Sequence, residues 1–523
     1  MAEAGLFERR QRGDPLVASI PGHRSFADAL AIGLMRSLGR DPLSLAHGRI
    51  LLPNNRAVRT LTEAFVRASD GGLVLPRLIA IGDPEIGERI GGALDPLELA
   101  DEVPPAIDPQ DRQLLLARLV RADGDSAAEA MRLAAELART MDAMAIEEVA
   151  PSRLAEAVDE TPELAAHWLA SLDRFRALID RWPALLAERG LIDLADRRSR
   201  LLHALAERWA TRPPEGFTIA AGITTGAPAI AALLARVARL DHGMVILPAL
   251  AELRVMPDEE WDALGPDEEG QAEESHPQYH LKRLLDRIGV ARGEVVQWRG
   301  GGRAASTAIR GRAIAHAMVA ADFSDKWTGL SPPERRLTGI RIAELPDPAS
   351  EAQAIAIALR EAVETEGRTA ALVTPDRMLA ARVSAHLVRW GIEADDSAGQ
   401  PLSATPAGTL LLSIASAAVE DLAPVALLAL AKHPLVGGEG EARRNWLDAV
   451  RALDLALRGP RPRAGLAGLD ERFAEKKADA PWSKVRPLVA PLAGRIDAAT
   501  SLAAVAIALR ELVDALAGEA AWR

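Results

Sequence analysis

At 523 residues, 49% of them hydrophobic, 26% charged and only 3% aromatic, the chain is long enough for two or more domains and reads as helix-rich and globular. Its formal charge of −12 excludes a uniformly basic, DNA-coating surface but leaves room for a basic channel in an acidic body. The lack of any Cys excludes disulfides, thiolate metal sites and Cys nucleophiles within this chain, and fits a reducing compartment.

The first element is Leu16–Ile20, a short apolar run closed by Pro21-Gly22, which reads as a buried parallel strand. Ser25 and Asp28 have capping-box spacing, and Phe26, Leu30 and Leu34 share one helical face. This is the layout of a phosphate-binding strand–loop–helix. A working P-loop at such a turn reads G-x-x-x-x-G-K-[ST], whose Lys reaches the β/γ-phosphates and whose hydroxyl holds Mg²⁺. Here the turn Gly22-His23-Arg24-Ser25 is too short, has one Gly and offers Arg24 where Lys belongs. It is either an ordinary strand-to-helix turn or a degenerate nucleotide loop, and neither reading supports ATP hydrolysis.

A second strand–turn–helix follows, with Arg49–Pro53 as strand, Asn54-Asn55 as turn and Ala57, Val58, Leu61, Ala64 and Phe65 as the buried stripe. Leu73–Ile81 is a third extended piece. Residues 108–210 are expected to form a helical insertion of bundle type, punctuated by Pro151 and Pro183. Strands resume at Phe217–Gly222 and Gly243–Pro248, flanking Thr224-Thr225 and a helix through Ala238. The carboxylates of residues 251–275, among them Glu252, Asp258, Glu259 and Glu260, read as a solvated acidic loop in preference to a metal site. His276 and His280 read as capping and packing residues, because Pro277 prevents a helical metal-binding pair. Arg299–Arg303 and its neighbours form a basic, Gly-rich linker that either touches phosphate or only connects.

A second βα series is expected at Ile340–Leu345 (strand), Glu351–Glu364 (helix), Ala370–Val373 (strand), Thr374-Pro375-Asp376 (helix cap) and a helix to Gly391, with Ile392–Ala394 leading into another strand. Beyond Thr409 the pattern is helical, with a basic Pro/Arg loop at Arg458–Arg463. No run of about 18 apolar residues appears, and the first 14 residues lack a signal peptide's apolar centre, so a cytoplasmic location with no membrane partner is expected. The chain stops on Trp522-Arg523 without a tail or turn, and is expected to continue in a longer protein.

Two interrupted α/β units with the P-loop position at the N-terminus resemble the layout of superfamily-1 helicases, and the segment from Arg341 to Ser416 resembles the start of the second motor domain of UvrD/RecB-type proteins. Several ordered segments, "LLPNNRAVRTL", "LPRLIAIGD", "AAGITTGAPAIAALLARVA" and "HPQYHLKRLLDRIGV", are similar to the N-terminal half of the AddB family, the repair subunits of AddAB helicase–nucleases. The resemblance implies an α/β fold of two RecA-like parallel-sheet domains with helical insertions. Residues 1–107 and 211–335 would form the first, residues 336–418 would begin the second, and residues 108–210 and 419–523 would be the insertions.

The same resemblance implies a non-motor, helicase-like subunit for double-strand-break repair by homologous recombination. Its partners would be DNA, as single strands and duplex ends, and an AddA-type motor. Motor helicases carry a Mg²⁺-holding acidic pair where this chain has Ala220-Ala221. The family's nuclease domain, with its Mg²⁺ and, in some members, a 4Fe–4S cluster, lies beyond Arg523, so no cofactor or catalytic residue is assigned in this chain. Strand contact is expected from Asn54, Asn55, Arg56, Thr224 and Thr225, each of which also suits a turn or cap. The alternatives are an ATP-dependent superfamily-1 helicase with an unrecognised nucleotide site, disfavoured because no G-K-[ST] occurs in the chain, and an α/β enzyme on a small molecule, for which His23 and His242 are isolated.

Overall fold

The computed structural model describes residues 6–8, 11, 13–38, 42–69, 72–82, 103–121, 126–150, 153, 178–268, 270–298, 301, 307–337, 339–493, 498–499 and 501–522. The chain divides into two compact units, Met1–Ala343 and Glu344–Arg523.

The first unit is built on a six-stranded sheet, β1 (Val17–Ile20), β2 (Arg49–Leu52), β3 (Arg77–Ala80), β4 (Thr218–Ala221), β5 (Gly243–Pro248) and β6 (Val296–Gln297). Its spatial order is β3-β2-β4-β5-β1-β6, and every pairing is parallel. The register is set by side-chain alternation. Ala18, Ile20, Ile50, Leu52, Ile219, Ala221, Met244 and Ile246 point to one face, while Val17, Leu51, Ala220, Val245 and Leu247 point to the other.

Helices cover both faces. On the first lie α1 (Phe26–Leu38) and α2 (Asn55–Ala68), which bury Leu30, Leu34, Leu61 and Phe65 against the sheet. A helical insertion enters between β3 and β4, with α3 (Pro109–Val120) and α4 (Ala127–Glu147) packed together and α5 (Leu194–Thr211) leading to β4. On the second face lie α5, α6 (Pro228–Arg239) and, further along, α8 (Tyr279–Ile288), with Leu205, Trp209, Leu233, Leu234, Leu284 and Ile288 in one core. Each such Leu or Ile contributes roughly 1.5–3 kcal/mol of transfer free energy, so the two-sided core dominates the stability of this unit.

Pro183 does not end a helix, because residues 178–187 run helically through it, and Trp182 donates from Nε1 to Asp193 at 2.7 Å. Most of the expected helix around residues 163–177, Pro151, and most of the basic linker at Arg299–Arg303 lie outside the described residues. The expected solvated loop at 251–275 contains a short helix, α7 (Asp258–Asp262), which buries Glu260. It is followed by α9 (Ala308–Ala317) and the single turn α10 (Lys326–Gly329). Strand β6 has no sequence signal. It is two residues long, and Trp298 just after it donates backbone N–H to Ser19 and Nε1–H to Ala29.

The stretch at the boundary between the units, 340–345, and the second unit after it correct the expectation of a second set of strands. Among the described residues the runs 340–345, 370–374 and 392–394 belong to no strand and are joined by no backbone ladder. A strand needs a neighbour for its N–H and C=O groups, and none is present there. Ile342 and Val373 are 92% and 93% exposed as a result. The accompanying helices, α11 (Pro348–Val363) and α12 (Arg377–Val388), pack through Ala352, Ala356, Val383 and Leu387. Asp376, not Thr374, is the cap of α12, accepting from the N–H groups of Met378 and Leu379, and Gly391 follows at φ 72°. The remainder is an all-helical core, α13 (Pro406–Val419), α14 (Pro424–Lys432), α15 (Gly440–Leu457), α16 (Gly465–Glu475), α17 (Asp479–Val489) and α18 (Leu502–Ala517), packed around Leu410, Leu427, Val450, Phe473 and Trp482.

Candidate functional site

All six strands run the same way, so the turns that leave them lie along one edge of the sheet. The connections leaving β1 and β2 carry α1 and α2 on one face, whereas the connection leaving β4 carries α6 on the other. Chain direction therefore reverses between the neighbours β2 and β4. In open parallel sheets ligands bind in the crevice at such a switch point, outside the strand C-termini.

The five residues expected to touch a strand flank this crevice. Asn54, Asn55 and Arg56 follow β2, Thr224 and Thr225 follow β4, and all five are exposed. Asn54 and Thr225 also have local duties. Asn54 caps α2 by accepting from the Ala57 N–H at 2.9 Å, and Thr225 Oγ1 accepts from the Ala227 N–H at 3.3 Å. Sequence reading missed two arginines beside them. Arg283 and Arg287 stand one turn apart on α8. Arg283 reaches Glu147 at 2.6 Å and its aliphatic stem lies against Gly226, and Arg287 donates to the Gly226 carbonyl. Arg198 donates to the Ile81 carbonyl at the end of β3, at 2.9 Å. Arg287 also lies 3.4 Å from Glu147, so the two arginines share one carboxylate beside Gly226. The signal for Arg283 and Arg287 in the sequence is only an (i, i+4) pair on the polar face of an amphipathic helix.

The turn after β1 is compact. The Arg24 N–H donates to the Pro21 carbonyl at 3.0 Å, and Ser25 Oγ donates to Asp28 at 2.8 Å instead of forming the expected reciprocal capping box. Asp28 is also 2.7 Å from Arg67 of α2. Burial raises the Asp28 pKa, but the hydrogen bonds from Arg67 and Ser25 together outweigh it and hold the carboxyl below its usual value. Gly22 and His23 border a neighbouring cavity, and His23 packs beneath Gly311 of α9. At the end of β4, Ala220 and Ala221 are fully buried, and Gly222 turns away at φ 71°. A Cβ on Gly222 would lie 3.3 Å from the Phe26 ring, so the residue after the Ala220-Ala221 pair has no room for a side chain without a shift of that ring.

Between the ends of β1, β5 and β6 lies a cavity of about 730 Å³. Its wall includes the loop 249–256, Glu260, His276 and α9. Glu260 is 2% exposed and meets Lys326 at 2.5 Å, so one carboxylate of the expected solvated run is a buried ion-pair member. His276 Nδ1 accepts from the Gln278 N–H at 3.1 Å, in keeping with a capping role. Burial lowers the His276 pKa, and the Met318 backbone, Glu260 and Glu273 oppose that without restoring it. No group of three or more His, Asp or Glu with metal-holding geometry occurs among the described residues. Among those residues no helix is long and apolar enough to cross a membrane.

No protein-family model matches the chain, and no curated protein matches it significantly. The fold is that of an α/β protein with a six-stranded, all-parallel, doubly covered sheet and a topological switch point between β2 and β4.

Proposed function

We propose that this chain is a non-motor, helicase-like subunit of the AddB type, acting in double-strand-break repair. Its first unit is read as a RecA-like domain that grips single-stranded DNA, while an AddA-type partner supplies ATP-driven movement. The observation that carries the reading is the pairing of an unspent phosphate turn with a populated switch-point crevice. The turn after β1 has no Lys, and β4, one strand removed from it, ends in Ala220-Ala221 with no carboxylate. Without the P-loop Lys on one strand and an acid on the other, the pair that holds a γ-phosphate and its Mg²⁺ in a motor helicase is missing.

The crevice has what strand binding needs. Exposed amide and hydroxyl groups at 54–56 and 224–225 stand beside Arg56, Arg283 and Arg287, and such donors hold phosphates without reading bases. The second unit is read as the beginning of a second RecA-like domain on the sequence resemblance of residues 341–416 alone, because its described residues form no sheet. The cytoplasm is the location that fits these partners.

Photocrosslinking with an oligonucleotide carrying 4-thiothymidine tests the reading. Crosslinks are expected in peptides spanning 53–56 and 222–227. Their absence from both, with crosslinks elsewhere or none, overturns it.

A further inference from the structure

Glu147 and Glu148 end α4 against the usual chemistry of a helix C-terminus. Carboxylates there face the negative end of the helix dipole, where Lys and Arg are favoured, and the last turn of α4 has no basic residue. Glu148 also stands at φ 55°, in the left-handed cap position that Gly normally takes. Each carboxylate meets its cation on another element. Glu148 Oε1 is 2.7 Å from His203 Nε2 of α5, and Glu147 Oε2 is 2.6 Å from Arg283 and 3.4 Å from Arg287 of α8. Ile146 beside them packs on the core shared by α5, α6 and α8. The end of α4 is thus held where one acid meets both arginines.

The arginines do not need Glu147 to be placed. Arg287 donates to the Gly226 carbonyl, and the stem of Arg283 lies against Gly226, where an added Cβ would come within 3.2 Å of its Cγ. Among the described residues, Glu147 is the one acceptor of the Arg283 head. All three side chains are about one-third exposed, and an ion pair so open to water is weak. A strand phosphate offers a guanidinium the same negative charge and the same fork of two oxygens. It gains further from the counterions it sheds on binding. Exchange of one acceptor for the other needs only the arginine heads to turn.

We infer that Glu147 occupies a phosphate site formed by Arg283 and Arg287, and that a single DNA strand binds there by displacing this carboxylate from the two guanidinium groups. The inference rests on the strand-gripping reading given above and adds a regulator to it. An internal competitor keeps the grip weak, which suits a strand that a motor partner must pull past it.

Fluorescence anisotropy of labelled oligo-dT on the whole chain tests this with five proteins: wild type, Glu147→Gln, Glu147→Ala, Arg283→Ala with Arg287→Ala, and that pair combined with Glu147→Gln. Wild type should bind. Both Glu147 variants should bind about fivefold tighter, the scale on which one exposed ion pair counts. The gain should vanish once both arginines are gone, which ties it to them and not to the general charge of the chain. Wild-type binding that both Glu147 variants leave unchanged or weaken, or a gain that survives without the arginines, overturns the inference alone. No binding by any of the five proteins overturns the strand-gripping reading and the inference together.

Discussion

Lys326 Nζ lies 2.5 Å from Glu260 Oε2 and 3.2 Å from the Val255 carbonyl, so one amine ties α10 to a carboxylate that is almost wholly withdrawn from water. Removing the amine alone leaves a buried, unpaired charge, which typically costs about 3–5 kcal/mol. Lys326→Ala should therefore lower the melting temperature of the chain clearly. The double change Glu260→Met with Lys326→Met should recover most of the loss. Differential scanning fluorimetry on the three proteins measures this.

Three buried histidines give the chain an acid-sensitive stability. Burial lowers the pKa of His276, His316 and His433, with Lys326 adding to it at His276 and His316 and Arg443 adding to it at His433. Unfolded, each returns to the ordinary histidine value of about 6.5. Above that value both states are neutral and stability is flat. Below it the unfolded chain takes up protons that the folded chain refuses, so stability falls with pH until the folded values are reached. Urea midpoints measured between pH 8 and pH 5 should decline below about 6.5. His433→Gln should flatten part of that decline.

Asn54 and Arg56 are neighbours with separable roles. Asn54→Ala removes the α2 cap together with one strand-contacting amide, and should both cost about 1 kcal/mol of stability and weaken binding of oligo-dT. Arg56→Ala should leave the melting temperature in place and weaken binding of oligo-dT. A melting curve and a binding isotherm on each variant separate the two.

The exposed runs near the second unit carry apolar side chains that nothing in the described residues covers. Replacing Ile342 and Val373 with Ser should change stability by no more than about 0.5 kcal/mol, the usual range for surface sites. It should also reduce concentration-dependent self-association, because exposed apolar patches drive it. Sedimentation velocity at several concentrations reads this directly.

Strands β1, β2, β4 and β5 were legible because each is an apolar run bounded by Gly, Pro or Asn, and their buried faces leave little freedom of register. β6 was not, since two residues carry no periodicity and its place depends on Trp298 reaching back to Ala29. The runs at 340–345 and 370–374 have strand composition, yet composition cannot supply a partner. Glu260 looked like its acidic neighbours because the residue that buries it, Lys326, stands 66 positions away. At the site, Asn54 was readable as a cap. Arg283 and Arg287 were hidden among the polar positions of an amphipathic helix, and only the fold brings them to Gly226.

The most direct measurement is fluorescence anisotropy of labelled oligo-dT against the whole chain across a series of salt concentrations. Binding should weaken linearly on a log–log scale, and changing Arg56, Arg283 and Arg287 to Ala should each lower the slope by up to about 0.7, the single-strand value per phosphate contact. Affinity that is undetectable at low salt, or a slope unmoved by all three changes, would contradict a strand-gripping role for this sheet edge.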